Sequence, residues 1–231
     1  MFDFLSERDK KLLYLMAVFN GKTFVEVLAK TLWIDTKSSV LQARNRLQKL
    51  RQKKILGIKS TGLFKPKNAY VLNDLSREIV FNEFDINVTS NITVSPVSAN
   101  HMIFEQIAFF WLEKIGRKVE RTVVKSWSKN HKHTPDLAYF QNDKLIYVEI
   151  ERSMKNTQQY NQIFVNIIAD KVDKVLYIVE DEKMLKRFAR NLPRSEKIML
   201  VTIDDFVKNC HENGKIGAVK QFDLIEKGDL G

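Results

Sequence analysis

Three carboxylates stand in two short segments, Thr134-Pro135-Asp136-Leu137-Ala138-Tyr139 and Leu145-Ile146-Tyr147-Val148-Glu149-Ile150-Glu151. Both segments read as strands. Successive side chains of a strand alternate faces, so Tyr147, Glu149 and Glu151 share one face, and Ile146, Val148 and Ile150 form an apolar one. Between the segments, Gln141-Asn142-Asp143-Lys144 reads as a polar hairpin turn, which lays Asp136 beside Glu149. Carboxylates at the end of a half-buried strand are costly unless they are paired or bound to a cation. Mg²⁺ or Mn²⁺ suits such oxygen ligands, together with waters and phosphate. The chemistry expected is metal-assisted attack on a phosphodiester, with Asp136, Glu149 and Glu151 as the metal-binding and catalytic acids. The competing reading is an exposed strand end that is merely acidic. The apolar run into Glu149 and the third carboxylate one hairpin away weigh against it.

Other residues near this trio have matching chemistry. Lys155, or Arg152, is placed to offset charge developing on the phosphate, and Lys155 joins the catalytic set. Glu151 either completes a second metal position or orients the attacking water. The Ile150 carbonyl is a further possible ligand. His131-Lys132-His133 precedes Asp136 and reads more readily as a basic loop that meets phosphate than as a general base or outer ligand. Lys125, Lys129 and Lys132 would extend that track. Gln158, Gln159, Tyr160 and Gln162 line the same cleft or form the polar side of a helix. Glu105 reads as a solvated helix residue rather than an outer ligand. Cys210 has no activating neighbours in the sequence and reads as inert.

The elements that must position the trio alternate between helix and strand. A wide apolar helix covers about 101–115 and stops at Gly116. A strand over 118–127 precedes the two acidic strands. A helix over 157–169, with Ile163, Phe164, Ile167 and Ile168 inward, leads to a buried strand at 175–179. A helix at 182–190, a strand at 198–201 and a helix opened by Asp204-Asp205 complete the order. Short apolar strands alternating with helices imply a mixed sheet flanked by helices, an α/β fold.

The charge is concentrated at the other end. The chain carries a formal net charge of +10, and residues 1–75 hold 15 Lys and Arg against 6 Asp and Glu. From Thr36 to Asn73 there are ten basic residues and no acidic one. A one-signed block on a folded segment is the footprint of a polyanion partner. Ser6 is expected to cap a helix over 7–20 with Asp9 in capping-box position, and Thr23 to cap a second short helix. A third helix over 36–54, with Val40, Leu41, Leu47 and Leu50 inward, is followed by two strands at 55–59 and 69–72 around a Gly62 and Lys65-Pro66-Lys67 tip. Three helices followed by a basic hairpin resemble a winged helix-turn-helix. The resemblance implies that the third helix enters the major groove and the hairpin lies on the backbone. Gln42, Arg44, Asn45 and Gln48 suit base edges. The candidate DNA-binding set is Lys37, Gln42, Arg44, Asn45, Arg46, Lys49, Lys53, Lys59, Lys65 and Lys67.

The expected organisation is a winged helix-turn-helix domain at 1–75, an Asn-, Ser- and Thr-rich linker at 76–100, and a catalytic domain at 101–231. A single cysteine excludes an internal disulfide and fits a reducing cytoplasm. The segment Met1-Phe2-Asp3-Phe4-Leu5 turns polar at once, unlike a signal peptide, and no run approaches the roughly 20 apolar residues of a membrane span. A cytoplasmic protein is expected.

Helix, three-strand meander, helix and strand, with Pro135-Asp136 on the second strand and Glu149-Ile150-Glu151 on the third, resemble the restriction-endonuclease-like PD-(D/E)xK superfamily over residues 101–202. Glu151 stands where that pattern most often has lysine. With its winged-helix front end, the chain is most similar to MOBC-type relaxases of mobilisable plasmids and to plasmid replication-relaxation proteins. The resemblance implies a Mg²⁺- or Mn²⁺-dependent endodeoxyribonuclease that nicks one strand of duplex DNA at a plasmid origin of transfer during conjugative mobilisation. It also implies single-stranded DNA as a partner after nicking, and an accessory mobilisation or coupling protein. The alternative is a non-catalytic DNA-binding regulator of plasmid replication or transcription whose nuclease fold has degenerated.

Overall fold

The computed structural model describes residues 5–35, 38–122 and 127–220. The chain divides into two compact units, Met1–Phe110 and Trp111–Gly231. In the first unit, α1 (Glu7–Val18) opens on the expected capping box: Asp9 N–H donates to the Ser6 hydroxyl, and Ser6 N–H donates to the Asp9 carboxylate at 2.8 Å. Leu12, Leu13, Leu15 and Met16 of α1 are buried. The chain then turns through Gly21 at φ +79°, where a Cβ would stand 2.6 Å from Ile92 Cδ1, so only glycine fits.

Thr23 lies in a short strand, β1 (Lys22–Thr23), instead of capping a helix. The helix α2 (Val25–Ala29) is capped by Phe24, without a side-chain bond, and α3 (Ser39–Gln52) follows. The strands β2 (Leu56–Ser60) and β3 (Asn68–Leu72) form the expected hairpin, and β1 adds to it in the antiparallel order β1-β3-β2. On α3 the inward residues are Ala43, Leu47 and Leu50, whereas Val40 and Leu41 are 48% and 51% exposed. The inward stripe therefore begins one turn later than the sequence pattern implies.

Arg46 also departs from expectation. Its position in the basic block suits a DNA-facing cation, but the side chain turns inward, and its Nε donates to Asp9 Oδ1 at 2.7 Å. Asp9 is wholly buried. Burial raises the pKa of its carboxyl, but bonds from Arg46 and Ser6 outweigh this and hold it below the usual carboxylate range.

Residues 76–100 form no free linker within this unit. Helix α4 (Asp74–Phe84), capped by Asn73, packs on α1 through Tyr14 and Phe84, whose ring centroids are 5.4 Å apart. The following segment is laid down by buried Val88 and Ile92, and Lys22 Nζ donates to Thr93 O at 2.7 Å. Helix α5 (Pro96–Lys114) carries the chain onward. Its Gln106 is buried and bonds Thr23 Oγ1 at 2.7 Å and Lys22 O at 3.0 Å.

The second unit is α/β, a mixed sheet flanked by helices. Its strands are β4 (Val119–Arg121), β5 (Leu137–Gln141), β6 (Lys144–Glu151), β7 (Lys174–Val179), β8 (Ile198–Thr202) and β9 (Val219–Lys220), in that spatial order. Of the strand expected at 118–127, residues 119–121 form β4 and residues 123–126 lie outside the described residues, while Trp127 opens a helical turn, α6 (Trp127–Asn130). Strands β6, β7 and β8 run parallel, with α7 (Thr157–Ala169) and α8 (Glu182–Asn191) as crossovers, while β4–β5, β5–β6 and β8–β9 are antiparallel. Tyr147, Val175, Tyr177 and Val179 pack with Tyr160, Ile167, Leu185 and Phe188 from α7 and α8. Helix α9 (Ile203–Asn213) covers the opposite face, where His211 lies against the Trp111 ring at 5.3 Å. Among the described residues, no helix is long and apolar enough to cross a membrane.

Replacing Arg46 by alanine strips Asp9 of its cation while leaving it buried. The expected cost is about 1–3 kcal/mol at neutral pH, read by urea denaturation. Because the native pKa of Asp9 is lowered, its contribution is present above the unfolded value near ~3.9 and is lost as pH falls through the native value. The gap between wild type and Arg46→Ala should close in that acid range.

Candidate functional site

The site is built at the carboxyl end of β6. Asn142 and Asp143 both adopt left-handed backbone, at φ 52° and 61°, which makes the two-residue turn that pairs Gln141 with Lys144. The register that follows sets Leu137 opposite Val148 and brings Asp136, just before β5, level with Glu149. The Ile150 N–H donates to Asp136 Oδ2 at 2.7 Å. Glu149 is 8% exposed and Glu151 is 5% exposed. Burial pushes the Glu149 carboxyl above the usual range. A bond to His133 opposes this, and the neighbouring Asp136 charge adds to it.

His133 meets the site directly, against the sequence reading of a loop that meets only phosphate. Its Nε2 lies 2.6 Å from Glu149 Oε1. The loop is clamped by Asp170, the residue that ends α7. The backbone N–H groups of Lys132 and His133 donate to the Asp170 carboxylate at 2.6 Å and 2.9 Å, and the Tyr147 hydroxyl donates to it at 3.1 Å. That hydroxyl also lies 3.0 Å from His131 Nδ1, and His131 stacks on Trp127 at 4.2 Å. Trp127 Nε1 donates to His133 O at 3.2 Å. Asp170, Tyr147 and Trp127 carry no sequence signal for this role beyond the His-x-His spacing itself.

Lys155 is the cation at the site. Its ammonium pairs with the Glu151 carboxylate, and its backbone N–H donates to the buried Tyr160 hydroxyl at 2.9 Å. Tyr160 is 1% exposed and so does not belong to the polar side of α7. Burial lowers the Lys155 pKa, and the charges of Glu149 and Asp136 pull it back up. Arg152, the other candidate, bonds Glu180 Oε2 at 3.1 Å. Gln159 reciprocates the Asn156 cap of α7. Glu105 belongs to the first unit and is 5% exposed, not solvated. Burial pushes the Cys210 thiol up to about 12, which keeps it protonated and inert.

The donor set is two converging carboxylates, Asp136 and Glu149, with the His133 imidazole on one of them. Among the described residues, no three or more His, Cys, Asp or Glu side chains are gathered closely enough to hold a metal ion outright. A hard divalent cation between the two carboxylates would relieve both the desolvation of buried Glu149 and its repulsion by half-buried Asp136.

In the first unit, Gln42, Arg44, Asn45 and Lys49 stand exposed on α3 and Lys53 at its carboxyl-terminal cap, as do Lys65 and Lys67 at the β2–β3 tip. Lys59 is exposed, with its Nζ donating to Ile92 O at 2.5 Å. Lys37 and Lys125 lie outside the described residues.

The raised Glu149 pKa fixes the sign of a stability effect. Above the unfolded value near ~4.3, ionising this buried carboxyl opposes folding, and the penalty is complete once pH passes the higher native value. Glu149→Gln keeps a partner for His133 and removes the charge. The melting temperature of the metal-free variant should exceed that of wild type by a margin that widens as pH rises above ~4.3 and then levels. A margin that shrinks with pH would contradict the buried-charge account. Compared with models of known protein families and with curated proteins, the chain finds no match in either.

Proposed function

We propose that the second unit is a divalent-metal-dependent endodeoxyribonuclease of the PD-(D/E)xK, restriction-endonuclease-like kind, and that the first unit is a winged helix-turn-helix that brings it to DNA. The reading rests on one observation: Glu149, near the end of β6, and Asp136, just before the paired strand β5, stand level, with Asp136 held by the Ile150 N–H at 2.7 Å and the Lys155 ammonium paired with Glu151 two residues on. The element order α5-β4-α6-β5-β6-α7-β7 and the α1-β1-α2-α3-β2-β3 order of the first unit support it. Asp136 and Glu149 would hold Mg²⁺ or Mn²⁺. Such an ion supplies polarisation of a phosphate and a lowered pKa for a bound water.

The chain's own residues supply the rest. Glu151 holds Lys155 instead of serving as a ligand, and the Tyr160 hydroxyl fixes the backbone of Lys155. The Lys155 ammonium, held beside the carboxylates by Glu151, offsets negative charge developing on the phosphate. His133 orients the Glu149 carboxylate, with Asp170 holding the loop. The surplus positive charge of the first unit draws DNA to the protein. The nick is placed at a plasmid origin of transfer, as in MOBC-type relaxases, with single-stranded DNA and an accessory mobilisation or coupling protein as later partners. A non-catalytic regulator is the second reading. It is favoured by the engagement of Glu149 with His133 and of Glu151 with Lys155, which commits two of the three carboxylates to side-chain partners.

Supercoiled plasmid carrying the adjacent transfer-origin region separates the two. Wild type with Mn²⁺ or Mg²⁺ should nick it, Asp136→Ala and Glu149→Ala should abolish nicking, and Lys155→Ala should slow it by about 10²–10³-fold. A melting temperature raised by Mn²⁺ in wild type should not rise in Asp136→Ala. DNA binding with neither nicking nor a metal shift would establish the regulator.

A further inference from the structure

The β2–β3 hairpin ends in a tip tied to itself. The Thr61 N–H donates to Lys67 O at 3.1 Å, the Thr61 hydroxyl donates to Pro66 O, and the Leu63 N–H donates back to that hydroxyl at 3.1 Å. Thr61 and Pro66 are buried. From this tied loop Phe64 stands 101% exposed. A phenylalanine with its whole ring in water gives up the stabilisation that its burial would bring, so the fold offers no reason for it here. Its neighbours Lys65 and Lys67 are exposed cations, and no acidic residue lies between Thr36 and Asn73. An aromatic ring flanked by lysines on a preorganised tip complements a polyanion that also presents flat apolar faces.

We propose that Phe64 is a DNA wedge. The β2–β3 tip enters the minor groove of a duplex, Lys65 and Lys67 take flanking phosphates, and the Phe64 ring inserts against a base step and partly unstacks it. This rests on the reading of the first unit as DNA-binding and adds the mode of binding to it.

The test uses the full chain and duplexes in which 2-aminopurine is moved along one strand. Wild type and Phe64→Trp should raise the fluorescence of 2-aminopurine at one or two steps, and Phe64→Ala should not. Phe64→Ala should bind about 5- to 100-fold more weakly, with the same dependence of log affinity on log salt, because every lysine–phosphate pair stays in place. Lys65→Ala combined with Lys67→Ala should instead lower that slope by about 0.9 for each phosphate left without its lysine. The melting temperature of Phe64→Ala should equal that of wild type, since a fully exposed ring contributes no packing. Equal affinity of wild type and Phe64→Ala, or duplex binding with no change of fluorescence at any position, would overturn the wedge while leaving DNA binding intact. If wild type binds no duplex at any salt concentration, the DNA-binding reading falls and the wedge falls with it.

Discussion

The candidate site depends on the register of one hairpin. Two residues with left-handed backbone, Asn142 and Asp143, close the β5–β6 turn and fix which residue of β5 faces which of β6. Side chains alternate with a period of two, so a slip of one residue would carry Glu149 and Glu151 to the α9 face and put Ile150 in their place. Asp136 would then lose both its level with Glu149 and the Ile150 N–H that holds its carboxylate. Asn and Asp tolerate positive φ better than other non-glycine residues, which is why this turn is closed without a glycine. The parallel partner β7 reinforces the register from the other side by pairing Glu149 with Tyr177.

Given that register, the rest of the site answers a problem of desolvation. Glu149 sits where its charge is costly, and each neighbour addresses that cost differently. His133 offers a ring nitrogen, Lys155 offers a positive charge, and Asp136 makes matters worse. A fold selected for stability alone would have no use for two carboxylates in this relation. The loop bearing His133 is in turn held by Asp170 at the end of α7, and the loop bearing Lys155 by Tyr160 near the start of the same helix. One helix thus anchors both loops that flank the carboxylates.

Much of this is legible in the sequence because it is local. The capping box of α1, the polar hairpin turn, the acid-bearing alternation of β6 and the span of α7 are all fixed by residues within a few positions of one another. The pattern misleads where distant residues compete. Tyr160 reads as polar beside three glutamines, yet the core of α7, α8 and the sheet claims its ring. His133 reads as basic and loop-bound, yet Asp170, 37 residues away, aims it at Glu149. The span 118–127 reads as one strand, but the indole at its end is claimed by the His131–His133 loop, where Trp127 opens a helical turn.

The same competition divides the basic block of the first unit. Its charges are one-signed in sequence but not in use. Arg46 neutralises Asp9, which α1 itself buries through its capping box, so the guanidinium belongs to the interior pairing of α1 with α3. Lys59 gives its ammonium to a backbone carbonyl of the segment that follows α4. Arg44, Lys49, Lys53, Lys65 and Lys67 remain exposed, on the outer side of α3, at its carboxyl-terminal cap and on the hairpin tip. Counting charges along the chain therefore overstates the field available to a polyanion. The exposed cations of the block lie on α3, just past its carboxyl end and on the β2–β3 hairpin of the same unit, and that confinement gives an electrostatic surface its direction.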